Sequence, residues 1–373
     1  ANVYRAKGDH ETALDYHQKA LNMRLALYGT KDHTDIAMSY TNIGVLLREI
    51  GRYQEGRNYF LAALDILIKT LGEESPYTAA AYNNAGAAYD DAGDYNNCLK
   101  YLKKALSLRL HRGTEAPGIP SSYNNIGTIY KKRGDLDLAL AYYRISKEII
   151  IKTFNDIHPD LAATYRKMGD IFLLKNQNDT ALYYYNRALI IDTFIEKNNP
   201  AVIEDFLNRG RAYGRLNDPA RELCDYLKGL ELSKKIYGDN HSLTGKFYSG
   251  MARNMLGRQC ADSAISYMRK ALRISEAAHP SPHPDLSSLY REMGYIYESI
   301  GLPDSAMIMY SKSISSNYRG FTSTNRIETS LVMDEPLYAS SLMDISRLKY
   351  SEYLKSGDKK SLLSITDNFD NIK

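Results

Sequence analysis

The chain has 373 residues, of which 44% are hydrophobic, and its formal net charge is +4. This composition supplies ample material for a core, and so small a charge gives no basis for wholesale nucleic-acid binding. No run of about twenty apolar residues is present, so the sequence predicts no membrane-spanning segment.

The three cysteines, Cys98, Cys224 and Cys260, lie far apart in the sequence. Their separation argues against a disulfide framework and is typical of a reducing compartment. The sequence therefore predicts a cytoplasmic protein, with a removed signal peptide as the alternative. The chain begins inside a helical pattern and without a methionine, which we interpret as the start of a fragment of a longer protein.

One amphipathic pattern recurs from the first residues onward. The first unit lacks its beginning but keeps a turn at Gly8. Each later unit has a small residue in its first half, and these residues lie 41 or 42 positions apart: Gly44, Gly86, Gly127, Gly169, Gly210, Ala252 and Gly294. An aromatic residue precedes each of them by four positions, and a second small residue follows by nineteen. This period predicts stacked helical hairpins.

Helix packing explains why the pattern takes this form. Bulky residues three and four apart build an apolar stripe, and a small residue within the stripe lets a neighbouring helix approach closely. One hairpin cannot bury both of its apolar faces, so each unit has to stack on the next. The predicted units are 1–32, 33–74, 75–115, 116–157, 158–198, 199–240, 241–282 and 283–318.

Proline and glycine mark the ends of the predicted helices. Prolines suited to a first helical turn stand at one fixed place in the units: Pro76, Pro117, Pro159, Pro200 and Pro284. Glycine or asparagine suited to a left-handed helix end stands at another: Gly8, Gly51, Gly93, Gly134, Asn176, Asn217 and Gly301.

Three units depart from the pattern. Gly118 and Pro120 predict that the first helix of the unit near residue 116 is delayed by about one turn. Arg209 stands where other units have Ile, Met or Ala, and Glu222 stands where other units have a small residue, which predicts looser packing of that unit. The unit from residue 241 has Gly245, Gly250 and Gly257 in or near one helix, each costing roughly 1 kcal/mol relative to Ala.

The repeat stops after about residue 318. Residues 319–336 show no helical period and predict a spacer loop. Residues 337–373 predict a helical pair, closed in the middle by a turn at 356–358. Its last helix still has unpaired apolar residues at Lys373, so we expect that the chain continues or was cut there.

The units resemble the tetratricopeptide repeat (TPR). The Asn-rich first halves (YTNIG at 40–44, YNNAG at 82–86 and YNNIG at 123–127) and the HPD starts are similar to the long, kinesin-light-chain-like subclass. The resemblance implies an all-α, right-handed superhelical solenoid of about eight hairpins plus the C-terminal helical pair. It also implies a protein or peptide partner on the concave face, although the fold alone does not identify that partner.

The tail resembles the segment that follows the repeats in bacterial TPR–CHAT proteins, which have a caspase-like protease domain. The matching residues are EPLYASSLMDISRLKYSEYLKSGDKKSLLSITDNFDNIK, at 335–373. This resemblance implies a regulatory or sensor solenoid, with the catalytic His and Cys beyond Lys373. The alternatives are a free-standing adaptor that assembles a signalling or other complex and, less favoured, the repeat region of a signalling kinase.

The sequence offers no candidate for catalysis. His33, His158, His241 and His283 occupy the same junction position in different units, which favours a structural role. No cysteine lies near His279 and His283, so a zinc site there is disfavoured. Glycine-rich phosphate loops are absent, and no Ser, Cys and His group can be assembled. We therefore expect no enzyme activity in this chain, no metal site and no cofactor.

The remaining candidates lie on the concave face. By analogy with the family, this face is formed by first-helix residues at fixed places around the small residue: Asn42, Asn83, Asn84, Asn124, Asn125, Lys131, Arg166, Asn208 and Arg211. Stacked amides can hold the backbone of an extended peptide, and the alternative is that Asn is merely tolerated on exposed helices. The basic residues favour an acidic peptide over RNA, and the alternative is a solvated face with scattered charge. The oligomeric state is not predicted.

Overall fold

The computed structural model describes residues 1–6, 10–113, 118–154, 156–196, 199–278, 283–317 and 335–356. These residues form seventeen α-helices and no strand, which confirms the all-α fold. The chain divides into two compact units, unit 1 (Ala1–Ile191) and unit 2 (Asp192–Lys373).

Unit 1 is a stack of helix pairs. Its helices are α1 (Asn2–Ala6), α2 (His10–Tyr28), α3 (Thr34–Glu49), α4 (Tyr53–Leu71), α5 (Pro76–Asp91), α6 (Tyr95–His111), α7 (Ile119–Lys132), α8 (Leu136–Phe154), α9 (Pro159–Leu174) and most of α10 (Asn178–Ile195). α3 packs on α4, α5 on α6 and α7 on α8, and α4, α6 and α8 each also pack on the helix that follows. We call α3, α5, α7 and α9 first helices and their partners second helices.

Unit 2 continues the same alternation. Its helices are α11 (Pro200–Arg215), α12 (Pro219–Tyr237), α13 (Ser242–Gly257), α14 (Ala261–Ala278), α15 (Pro284–Ser299), α16 (Pro303–Ser316) and α17 (Glu335–Ser356). α11 pairs with α12, α13 with α14, and α15 with α16, while α17 packs on α16. The first helices of this unit are α11, α13 and α15.

Histidines at the junctions cap first helices. His33 Nδ1 accepts a hydrogen bond of 3.1 Å from the backbone N–H of Asp35, and His158, His241 and His283 do the same at the starts of α9, α13 and α15. A side-chain acceptor at this place satisfies a backbone donor that the helix cannot pair. The His33 ring also stacks on Tyr28, with centroids 3.6 Å apart. The predicted structural role of these histidines is therefore confirmed.

The helices begin and end near the predicted prolines and turn residues, with two departures. Prolines begin α5, α9, α11 and α15, whereas Pro117 lies outside the described residues. α7 begins at Ile119 and has 14 residues, against 16 in α5 and α9, so the delay is about half a turn and not the predicted full turn. The predicted left-handed turn residues from Gly51 onward have positive φ, and so does Gln259 at +61°, which the sequence analysis did not anticipate.

Five small residues of the first helices lie against rings of the second helices: Gly44, Gly127, Gly169, Gly210 and Gly294. A Cβ atom added at Gly169 would lie 2.6 Å from Cε1 of Tyr185, and one at Gly210 would lie 2.5 Å from Cε1 of Tyr226. Both tyrosines are fully buried. The rings thus fill the space that a side chain would take, which confirms the reason for the conserved spacing of small residues along the chain.

Aromatic side chains form a second recurring contact inside the hairpins. Tyr184 on α10 stacks on Phe172 with centroids 5.2 Å apart, and its centroid lies 5.7 Å from that of Tyr165 on the same first helix. Tyr101 and Tyr142 lie between two first-helix tyrosines in the same way. These three triplets contain eight of the 32 tyrosines, and packing alone explains them without a ligand.

The hairpin of α11 and α12 replaces this triplet with an ion pair. Asp225 stands where other second helices have tyrosine, and the Arg209 guanidinium donates to it over 2.7 Å and 2.6 Å. The guanidinium also lies over the rings of Phe206 and Tyr213. Asp225 therefore holds Arg209 in place, while the looser packing that was expected of this hairpin stays a prediction.

α17 makes the contacts of a further first helix. Arg291 on α15 donates to Asp344 over 2.7 Å, which repeats the contact that Ser249 on α13 makes with Glu292. Glu298 pairs with Arg347 at 2.8 Å, between the same two places as Lys131 and Asp170 of unit 1.

The contacts of Arg291 and of Glu298 with α17 both place Ser346 at the position of the small residue, 52 residues after Gly294. Ser346 is 5% exposed, as a residue at that contact should be. α17 therefore extends the stack after ten additional residues, which fall in the segment before Glu335. That segment, from residue 318, and the predicted helix after residue 358 lie outside the described residues.

We expect Gly210→Ala to destabilise the protein by roughly 1–3 kcal/mol, because the added Cβ overlaps the buried ring of Tyr226. Gly257→Ala is the matched control, since no atom lies within 4 Å of the Cβ it adds. The control should leave stability unchanged or raise it by up to about 1 kcal/mol. Urea unfolding followed by circular dichroism measures both, and equal midpoints for the two variants would contradict the packing argument.

We expect Asp225→Ala to cost about 3 kcal/mol, because it leaves the Arg209 charge inside the hairpin without its partner. The double variant Arg209→Met with Asp225→Tyr restores the residues that other hairpins have at these places. Asp205 also interacts with Arg209 and loses that interaction in the double variant, so recovery need not be complete. We expect the double variant to recover at least half of the stability that Asp225→Ala loses. A double variant as unstable as Asp225→Ala in the same unfolding experiment would refute this account.

Candidate functional site

The exposed sides of the first helices carry the residues predicted to bind a partner. We call this surface the first-helix face; it comprises the side chains three and two positions before the small residue and one, four and five positions after it. Seven of the predicted residues lie on this face of unit 1, from Asn42 to Arg166, whereas Asn208 and Arg211 lie on that of unit 2.

Two of the predicted asparagines form an amide pair between neighbouring helices of unit 1. Asn125 Nδ2 on α7 donates to Asn83 Oδ1 on α5 over 2.9 Å, and both side chains are half-buried. Among the described residues this pairing leaves the amide N–H groups of Asn83 and the carbonyl oxygen of Asn125 uncommitted. The pair of linked side chains therefore keeps both donor and acceptor groups for a partner.

The other asparagines of unit 1 differ in exposure. Asn42 on α3 is exposed and Asn84 on α5 is half-buried, and both stand at the same place in successive first helices. Asn124 is only 6% exposed, and its Nδ2 donates to Thr164 Oγ1 over 2.9 Å. Asn124 therefore links α7 to α9 inside the stack and does not reach a ligand on the surface.

The basic side chains of unit 1 are paired with acidic ones from neighbouring hairpins. Lys131 Nζ lies 3.0 Å from Asp170, and Lys132 Nζ lies 2.7 Å from Asp90. Arg48 donates to Asp91. Arg166 is half-buried on α9 and also has interactions of its own. The positive charge expected on this part of the face is thus largely balanced by acidic neighbours.

Buried tyrosines of the second helices form hydrogen bonds with polar side chains of this face. Tyr185 donates to Asp170 over 2.8 Å, and the hydroxyl of Tyr143 lies 3.2 Å from that of Thr128. Burial raises the pKa of Tyr143 to about 12, so its hydroxyl stays protonated at neutral pH. The ring that packs against the small residue therefore also orients a side chain on the surface.

The face of unit 2 has a different distribution of charge. Arg253 on α13 pairs with Glu292 on α15 at 3.3 Å, and Glu292 also accepts from Ser249 over 2.9 Å. Asn208 is half-buried and Arg211 is exposed, both on α11. Arg211 has no ion pair within the described part of the chain, which sets it apart from Lys131.

Two hollows open on the first-helix face of unit 2. The smaller has a volume of about 200 Å³ and lies over α13, between α11 and α15. The larger has a volume of about 890 Å³ and lies between α13, α15 and α17. The ion-paired side chains Arg291, Asp344 and Arg347 line the larger one, so its shape depends on how α17 packs.

The described residues provide no metal cluster, no membrane-spanning helix and, at Cys98, no reactive thiol. They contain no group of three or more His, Cys, Asp or Glu side chains placed to hold a metal ion. None of the described helices is long and apolar enough to cross a bilayer. Cys98 is buried, and burial raises the pKa of its thiol to about 12, so it is not a reactive thiolate.

The sequence profile of the tetratricopeptide repeat matches residues 1–50, 35–110 and 118–193. The chain belongs to the tetratricopeptide-repeat family. Family membership confirms the resemblance drawn from the small-residue spacing, and it identifies the fold as a scaffold whose partners are proteins or peptides. No curated protein matches the sequence closely enough to be called a relative.

Solved structures share the repeat architecture at low sequence identity. The apo form of the quorum sensor NprR from B. thuringiensis is 16% identical, with a TM-score of 0.63 over 84% of this chain and 85% of that one. The apo form of RapI is 14% identical, with a TM-score of 0.55 over 75% of this chain and 97% of that one. At these identities the similarity concerns the fold.

Kinesin-light-chain-like repeats are also among the similar structures. The repeats of a putative kinesin light chain from Podosopora anserina are 18% identical, with a TM-score of 0.47 over 54% of this chain and 97% of that one. None of these three structures bears on the resemblance of the tail to TPR–CHAT proteins.

Several residues that shape the face were not predicted from the sequence. Asp170 and Glu292 went unnoticed because their partners lie 39 residues earlier, at a different place in the repeat. Lys246 lies outside the positions transferred from the family, yet it lines the smaller hollow. The signal for this hollow was the run of small residues on α13, which had been interpreted only as a cost to the helix.

Proposed function

We propose that the first-helix face of unit 1 binds an extended peptide segment of a partner protein mainly through the peptide backbone. The observation that carries the proposal is the amide pair of Asn83 and Asn125, in which the N–H groups of Asn83 and the carbonyl oxygen of Asn125 are not used by the bond between them. In an extended chain the backbone N–H and C=O of one residue point to the same side, so the pair complements the backbone of one residue whatever its side chain.

The position of the other amides supports the same mode of binding. Asn42 and Asn84 stand one hairpin apart on the same face. Neighbouring packed helices have axes roughly 8–10 Å apart, and an extended chain rises about 3.3 Å per residue. Amides on successive first helices would therefore meet every third residue of the ligand. The balanced charges nearby favour a partner chosen by shape and backbone over one chosen by charge.

Similar folds supply a precedent for a sensor role. NprR is a quorum sensor, and its architecture spans most of this chain. Sensing by such a scaffold needs a groove whose occupancy changes the packing between hairpins. In this chain the cross-hairpin contacts of Asn83, Lys131 and Asp170 would be the first to respond to a bound peptide.

We expect the triple variant Asn42→Ala, Asn84→Ala and Asn125→Ala to weaken peptide binding by about tenfold or more, because each lost hydrogen bond contributes about 1 kcal/mol. The probe is a fluorescent peptide selected on the wild-type chain from a random phage-displayed library, and anisotropy measures its affinity. Asn58→Ala with Asn96→Ala is the control, since both residues are exposed on second helices.

The triple variant has to keep the wild-type melting temperature for the comparison to hold. Wild-type affinity in a folded triple variant would overturn the backbone-binding proposal. A library that yields no binding peptide on the wild-type chain would overturn it as well.

A second candidate function is more specific and concerns the full-length protein to which the repeats belong. We propose that they are the regulatory region of a TPR–CHAT protease, with a free-standing adaptor as the alternative. The packing of α17 supports this candidate: ion pairs of Arg291 with Asp344 and of Glu298 with Arg347 tie the tail that resembles those proteins to the last hairpin. A change in the stack would thus reach whatever follows α17.

Sequencing the native reading frame beyond Lys373 tests this candidate. We expect an α/β segment that carries a His and a Cys, each after a strand, because those are the catalytic residues of a caspase-like protease. A stop codon within a few residues, or further repeats and nothing else, would contradict it and leave the adaptor.

A further inference from the structure

One side of α13 is built from unusually small residues. Ser242, Gly245 and Ser249 lie three and four positions apart and therefore share one side of the helix. The place of Gly245 is taken by alanine in α3, α5 and α9, and the place of Ser249 is taken by Leu207 in α11. The smaller hollow opens over these three residues, so the missing side-chain volume is what creates it.

Part of the wall of this hollow is apolar. Ala271 and Ile274 of α14 form its floor together with Gly245, and Leu207 and Leu289 contribute from the neighbouring first helices. A Cβ at Gly245 would lie 3.3 Å from Cγ2 of Ile274, so the helix and the floor are in contact. The volume of about 200 Å³ lies below the roughly 300–1,000 Å³ typical of drug-sized ligand sites. It suits one amino-acid side chain.

Two cations border the hollow without acidic partners. Arg211 and Lys246 both line it and are exposed, and neither forms an ion pair within the described residues. The third basic residue there, Arg253, is bound to Glu292 at 3.3 Å. Asp285, also at the rim, lies 4.0 Å from His283. An anion entering beside the apolar part of the wall would therefore meet Arg211 and Lys246 first.

We propose that this hollow is a subsite for one apolar residue that has a carboxylate next to it. The apolar side chain enters the space over Gly245, and the carboxylate pairs with Arg211 and Lys246 at the rim. A C-terminal leucine has this chemistry, and so has an internal aspartate beside a leucine. The proposal rests on the proposed function only in taking a peptide as the ligand.

The experiment uses three short synthetic peptides and isothermal titration of the whole chain. The first is acetyl-glycyl-seryl-leucine with a free carboxylate, the second is the same peptide with a C-terminal amide, and the third is acetyl-glycyl-aspartyl-leucyl-glycine amide. We expect the first or the third to bind at least tenfold more tightly than the second. The tighter of the two identifies the source of the carboxylate. Equal affinity for all three peptides would overturn the proposal.

Charge variants test the rim of the hollow. Arg211→Ala with Lys246→Ala should weaken the binding of the preferred peptide at least tenfold and remove most of its salt dependence. Lys228→Ala with Arg273→Ala removes the same charge from exposed second-helix sites of unit 2 and should leave binding unchanged. Equal losses in both double variants would show a general charge effect and overturn the assignment.

Filling variants test the apolar part. Ser249→Leu installs the residue that α11 has at that place, and Gly245→Ala installs the one found in α3, α5 and α9, so at least one of them should fold. Wild-type protein should prefer a peptide ending in leucine over one ending in alanine, and the folded variant should lose that preference. A preference that survives the filling would refute the subsite.

The experiments distinguish a failure of this subsite proposal from a failure of the proposed function. The asparagines of the amide pair lie in unit 1, whereas this subsite lies wholly in unit 2. The triple asparagine variant should therefore bind the three short peptides as the wild type does. If the selected library peptide ignores the asparagines while the short peptides still need Arg211 and Lys246, only the proposed function fails.

Discussion

The close contact between a small residue of a first helix and a ring of its second helix sets the geometry of every hairpin in which it occurs. At Gly210 no side chain fits, because Tyr226 already occupies that space. A glycine alone in a helix weakens it, but the ring it admits is fully buried and contributes apolar burial worth several times that cost. The spacing of 41 or 42 residues between such positions is therefore a packing requirement and not a preference for glycine as such.

The same contact decides which polar groups meet on the surface. Because the hairpins are stacked at a fixed offset, Lys131 reaches Asp170 and Asn125 reaches Asn83. These bonds use side chains that would otherwise be available to a partner, and they leave a surface in unit 1 that is polar but nearly balanced in charge. A ligand bound through its peptide backbone fits such a surface better than a strongly acidic ligand. The cations Arg211 and Lys246 of unit 2, in contrast, favour a ligand that has a carboxylate.

The sequence was sufficient to predict the hairpins, since the period, the prolines and the turn glycines all indicate the same helices. It was insufficient for the surface, because whether Lys131 is paired depends on a residue at another place in the next hairpin. The fixed period also concealed α17: Ser346 stands 52 residues after Gly294, and only the contacts of Arg291 and Glu298 show that it occupies the same place. A scan that allows insertions between hairpins would have found it.

Glycines in unit 2 show why residue type alone cannot assign a role. In sequence terms Gly210, Gly245 and Gly257 carry the same penalty in a helix. A Cβ added at Gly210 meets a buried ring at 2.5 Å, one at Gly245 meets a methyl group at 3.3 Å, and one at Gly257 meets nothing within 4 Å. The first residue is required for packing and the third is dispensable. The second lies beneath a hollow that a larger residue would close, whereas three other first helices have alanine at this place.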